Sequence, residues 1–200
     1  MFPAVSVAKG ICESYGISFR FNISGSLIFD YHNGQSEEFG ENGHLVPLHG
    51  GFWSSRTMDL NIISQVYICS SAMEAIAFLH FNSSRFNRPC ELLFVAISPH
   101  YIYPGEIFTE LRKVKINLVL ECGLVNTLRA IRFCMDYQGI ASHFTFQDEH
   151  IFLRFSEHVL SIPQHCLSIR KVFLMANIRP SVRQYLPRSK ISFLYEFLNQ

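Results

Sequence analysis

The chain lacks the features that mark metal-stapled, disulfide-stapled or membrane-spanning proteins. Its six cysteines (Cys12, Cys69, Cys90, Cys122, Cys134, Cys166) are scattered and form no C-x-x-C pair. That argues against a disulfide framework and for reduced, mostly buried thiols. The nine histidines form neither H-x-H nor H-E-x-x-H, so a zinc site is not expected. Apolar runs stop at six or seven residues, well short of the ~20 that cross a bilayer. Residues 1–9 have neither a basic start nor a sustained apolar centre, so they do not read as a signal peptide, and the cytoplasm is the expected location. Neither an internal repeat nor a low-complexity tract is visible.

Charge is also sparse, at 16% of residues, whereas 48% are hydrophobic and nineteen are phenylalanine. Such a composition supports a well-buried aromatic core in a chain of ordinary domain size. The near-zero net charge hides an asymmetry. Residues 151–200 carry seven basic side chains against two acidic ones, and residues 1–100 carry five against eight. A basic tail of spaced charges suits a solvated face or contact with nucleic acid.

Apolar runs alternate with helical segments over residues 66–146. The runs are Val66-Tyr-Ile-Cys69, Leu92-Leu-Phe-Val-Ala-Ile97, Ile116-Asn-Leu-Val-Leu-Glu121 and Ile140-Ala-Ser-His-Phe-Thr-Phe146. Ser71 followed by Glu74 has the capping-box spacing before an apolar helix. Pro104-Gly105 opens a second, short helix to Lys113. Leu124–Gln138 has the clearest helical periodicity, with Gly139 as its C-cap. Upstream, Ile17–Ile23 and Leu27–Tyr31 alternate with period two around Ser24-Gly25, which predicts an antiparallel hairpin. Asn33-Gly34 adds a turn, and the glycines at 40, 43, 50 and 51 predict a loop-like stretch with edge pieces at 45–48 and 52–53. Ile140–Phe146 and Ile151–Phe155, joined by a short polar link, predict a further hairpin. Pro163 opens a helix to about Asn177, and Ile191–Leu198 predicts a terminal amphipathic helix.

The expected fold is α/β: a central sheet of about four mainly parallel strands flanked by helices, with an N-terminal antiparallel hairpin and a C-terminal helical tail. Three segments follow, namely residues 1–60, the 61–150 core and the 151–200 extension, packed as one domain. A flavodoxin-like sheet has the same cadence.

Over some 80–90 residues this cadence resembles the Toprim domain of primases, topoisomerases and related nucleases. Val66–Phe78 resembles its first motif region, with Ser70 where those domains have a glutamate and Glu74-Ala75 at the following helix pair. Ile116–Gly123 is similar to the third strand, with Glu121 and Gly123 at the two positions of the Asp-x-Asp motif. The resemblance implies carboxylates that hold Mg²⁺ against phosphate oxygens. Serine at 70 makes a poor general base and glycine at 123 supplies no ligand, which leaves Glu121, with Glu74, as metal-binding candidates. A noncatalytic module of DNA transactions is the resulting expectation, without a cofactor or membrane association. Its partner is DNA or a replication or mobilisation protein, of the kind encoded on mobile elements. Arg112, Lys113, Lys115, Arg179, Arg183 and Arg188 are its nucleic-acid-binding candidates.

The alternative is a small enzyme. It would use weak Mg²⁺-dependent phosphotransfer or nuclease chemistry at Glu121 and Glu74, or thiol chemistry at Cys122. Cys122 lies at a strand–turn–helix junction that can lower a thiol pKa, and His100 follows the second strand. The His100, Tyr101 and Tyr103 loop suits either base stacking or simple surface packing, and His44 with His49 reads as a polar turn pair.

Overall fold

The computed structural model describes residues 2–49, 51–57, 59, 61–99, 114–179 and 182–200. They fall into two compact units: residues 1–121 with 184–200, and residues 122–183. The divisions between these units lie at 121/122 and 183/184.

The first unit begins with helix α1 (Pro3–Tyr15), opened by a proline and closed by Gly16 in the left-handed conformation (φ 64°). The Gly16 N–H bonds back into the last turn, which frees the chain to leave the helix. Val5, Ala8 and Cys12 share one buried face. A four-stranded antiparallel meander follows: β1 (Arg20–Phe21), β2 (Leu27–Asp30), β3 (Ser36–Gly40) and β4 (Gly43–Leu45). The first two strands are the expected hairpin. The stretch after residue 35, by contrast, is not loop-like. Gly40 pairs with Gly43 across a two-residue turn, and the φ of 119° at Gly43 is the reason a glycine stands there.

A second sheet has the order β12-β8-β6-β7-β5. Its centre is β6 (Gln65–Cys69), parallel to β7 (Leu92–Ile97) on one side and to β8 (Lys115–Val119) on the other. Strand β5 (Phe52–Ser54) is an antiparallel edge on β7, and the two-residue β12 (Arg183–Gln184) forms the other edge. Three strands are thus parallel, and all six residues of β7 are buried, as two covered faces require.

Helix α2 (Ala72–Asn82) crosses from β6 to β7. It is apolar all round, and Ala72–Leu79 are buried without interruption. That burial is possible because α1, the sheet and α5 (Phe193–Leu198) all pack on it. The core is correspondingly aromatic: Phe78 contacts Phe193 and Tyr185 edge-on, with ring centroids 5.1 and 5.2 Å away, and Tyr67 stacks on Phe94.

The second unit contains α3 (Leu124–Tyr137), the antiparallel strands β9 (Ser142–Gln147), β10 (His150–Phe155) and β11 (His158–Pro163), and α4 (Ile169–Met175). The fourth apolar run is therefore not a parallel strand of the central sheet. It is β9, an edge of the separate meander β11-β10-β9. Asp148 and Glu149 both adopt positive φ, which suits the tight right-handed twist of the β9–β10 turn. Pro163 ends a strand instead of opening a helix. It lies on the outer strand β11, where a missing N–H is tolerated, and α4 starts later behind the Ser168 cap. The short helix expected over 104–113 lies outside the described residues. Among the described residues, no helix is long and apolar enough to cross a membrane.

Candidate functional site at the start of helix α2

In parallel α/β sheets, ligand chemistry usually gathers at the carboxyl ends of the strands, so the junction after Cys69 is the place to look. Ser71 is extended and its Oγ accepts the Glu74 N–H at 3.0 Å, the first half of a capping box. The second half does not form. The Glu74 carboxylate turns away from Ser71 to the start of α5, where Oε1 accepts the Phe193 N–H at 2.8 Å and Oε2 accepts the Leu194 N–H at 2.9 Å. Ser192 Oγ takes the next donor, Tyr195 N, at 2.9 Å. All three leading N–H groups of α5 are thus satisfied.

The first two N–H groups of α2 are met by a residue the sequence did not single out. Glu37 on β3 is fully buried; its Oε2 accepts Ala72 N at 2.7 Å and its Oε1 accepts Met73 N at 2.8 Å. Tyr31 Oη donates to the same carboxylate, and His44 Nε2 sits 2.8 Å from Oε1. The available signal was its position two residues before Phe39 on an alternating strand, which turns both side chains inward. His44, read from sequence as one half of a turn pair, is instead a partner of this buried carboxylate.

Two buried carboxylates therefore cap two helices in series, Glu37 on α2 and Glu74 on α5. Electrostatics follow from the burial. Desolvation pushes Glu74 up to about 7, opposed by its two backbone donors and by His44 and assisted by the negative charge of Glu121. Burial likewise raises Tyr31, with the Glu37 charge adding to it, and it raises the Cys69 thiol, with Glu74 and Glu37 adding. Cys69 is consequently held as a thiol and is a poor nucleophile.

The other candidates divide. Ser70 and Glu121 do meet, with Ser70 Oγ 3.4 Å from Glu121 Oε1, a long hydrogen bond at the carboxyl ends of β6 and β8. Gly123 has no side chain to contribute; it precedes α3 with φ 123° and belongs, like the half-buried Cys122, to the second unit. His100, Arg112 and Lys113 lie outside the described residues. Lys115 is exposed at the amino end of β8, the opposite end of the strand from Glu121. Arg179 and Arg183 are exposed in the second unit, and Arg188 is exposed in the first.

These residues do not fit the Mg²⁺ that the Toprim resemblance implies. Magnesium needs several oxygen ligands at once. Both Glu74 oxygens are engaged by backbone donors, Gly123 offers none, and Ser70 adds only a hydroxyl beside Glu121. Among the described residues no three His, Cys, Asp or Glu side chains are grouped to hold a metal ion. Compared with known proteins, the chain matches no family model, no curated protein and no solved structure.

Proposed function

We propose that the protein is a noncatalytic, Toprim-like module that works in DNA transactions in the cytoplasm by binding nucleic acid or a replication or mobilisation protein. The observation that carries this reading is the fate of Glu74. The carboxylate at the position resembling the Toprim helix pair is fully buried and spent on the Phe193 and Leu194 N–H groups. It is a structural cap, which leaves Glu121 as the one carboxylate not spent on a helix cap at that sheet edge among the described residues. Arg188, exposed on the same unit, supports the nucleic-acid side of the reading.

The test is binding of a labelled single-stranded oligonucleotide across a salt series, with and without Mg²⁺. The reading expects affinity that falls steeply with salt, is indifferent to Mg²⁺, and leaves the strand uncut. Cleavage of the strand that needs Mg²⁺ and disappears in Glu121→Ala would contradict it.

A further inference from the structure

We infer that a cleft at the carboxyl end of α2 takes one base and its phosphate from a single-stranded nucleic acid, a proposal that rests on the DNA-associated reading above and gives it a location. The cleft, of about 270 Å³, lies wholly within the first unit. Its charge is the first argument. Among the five described arginines of that unit, Arg20 is paired with Asp30, Arg88 with Glu91, and Arg56 with the carbonyls of Tyr15 and Cys90. The other two, Arg85 and Arg188, are exposed and make no hydrogen bond or ion pair with a described residue. Both line this one cleft. Glu196 also lines it, with its carboxylate accepting the Ser189 N–H, so two guanidinium groups face one carboxylate.

The second argument is the aromatic wall. Phe81 is exposed beside the cleft, and Phe193 is buried beneath it. Tyr185 is fixed in place by its N–H to the Leu118 carbonyl at 2.8 Å and by edge-on contact with Phe78. Asn82 is buried, lines the cleft and donates Nδ2 to the Phe78 carbonyl, which fixes its amide. Aromatic rings for a base and guanidinium groups for its phosphate form the set that single-strand binders use. A volume of about 270 Å³ has room for one splayed base. A duplex, whose bases are stacked, cannot insert one without unpairing it.

The test is fluorescence anisotropy of a labelled oligo-dT of ~10 nucleotides with the full chain and with Arg85→Gln, Arg188→Gln, Phe81→Ala and Arg154→Gln. Each cleft arginine removed should weaken binding about tenfold and lower the slope of log affinity against log salt by about one. Phe81→Ala should also cost about tenfold. Arg154→Gln, in the second unit, should leave affinity unchanged, and a duplex of equal length should bind more weakly. Wild-type affinity in all three cleft variants overturns the cleft while leaving the DNA-binding reading standing. Absence of oligonucleotide binding, or binding of an acidic tyrosine-containing peptide in its place, overturns both the cleft and the nucleic-acid side of that reading.

Discussion

The Oε1 of Glu74 lies 2.8 Å from the backbone nitrogen of Phe193, a bond that joins residues 119 positions apart. With its twin to Leu194 it fastens the C-terminal helix to the central crossover helix, and it turns a candidate catalytic carboxylate into a structural one.

Replacing Glu74 with alanine should strand two buried N–H groups at the start of α5. A cost of about 2–4 kcal/mol is expected, above that of an ordinary exposed helix cap. Urea unfolding reads the loss, and hydrogen exchange at Phe193 and Leu194 should rise more than at Ala75 or Ile76. Equal exchange across both helices would show that the cap does not hold α5.

The pH dependence has a defined sign. Burial lifts Glu74 from 4.5 to about 7 in the folded chain. A raised carboxyl pKa means that the folded state holds the proton more tightly. Its contribution to stability is complete below about 4.5 and is lost as pH rises through about 7. Subtracting the urea stability of Glu74→Gln from that of the wild type should therefore give a difference that falls between these limits. A flat difference would remove the claim that this carboxyl titrates there.

Glu37 carries more partners than Glu74, so its loss should be the more severe. Glu37→Ala leaves two helix N–H groups, the Tyr31 hydroxyl and His44 without their shared acceptor. A loss of about 3–5 kcal/mol is expected, and Tyr31→Phe, which removes one donor, should cost about 1 kcal/mol. Near-equal effects of the two substitutions in chemical unfolding would contradict this ranking.

Much of the fold was legible because it rests on local signals. The alternation in 17–31, the Ser71 cap and the 3.6-residue period of 124–137 each name an element through a few neighbouring residues. What was not legible depended on distant partners. The capping box at Ser71 and Glu74 is correct in sequence, yet the carboxylate is diverted by α5, which lies far along the chain. Glu37 falls in a stretch that reads as loop-like, and only pairing of β3 with β4 places it next to His44 and under α2. The hairpin of Ile140–Phe146 with Ile151–Phe155 was legible from its short polar link, whereas its separation from the central sheet was not. Pro163 signals a helix start or a strand end equally well, and its pairing opposite His150 decides between them.

Gly40 offers a packing test independent of the carboxylates. A Cβ there would approach the Ser26 Cβ to 2.8 Å and its Cα to 3.2 Å, so the two strands could not keep their spacing. Gly40→Ala should cost about 1–3 kcal/mol. Adding Ser26→Gly should recover part of that loss in thermal or urea unfolding. A neutral single variant would mean that β2 and β3 are less closely apposed.

The central claim is that the carboxylates at this sheet edge serve the fold and do not form a metal site. Calorimetric titration of Mg²⁺ and Mn²⁺ into the wild type and Glu121→Ala tests it most directly. The account predicts indistinguishable traces without a saturable step for either protein. Saturable binding in the wild type that vanishes in Glu121→Ala would contradict it.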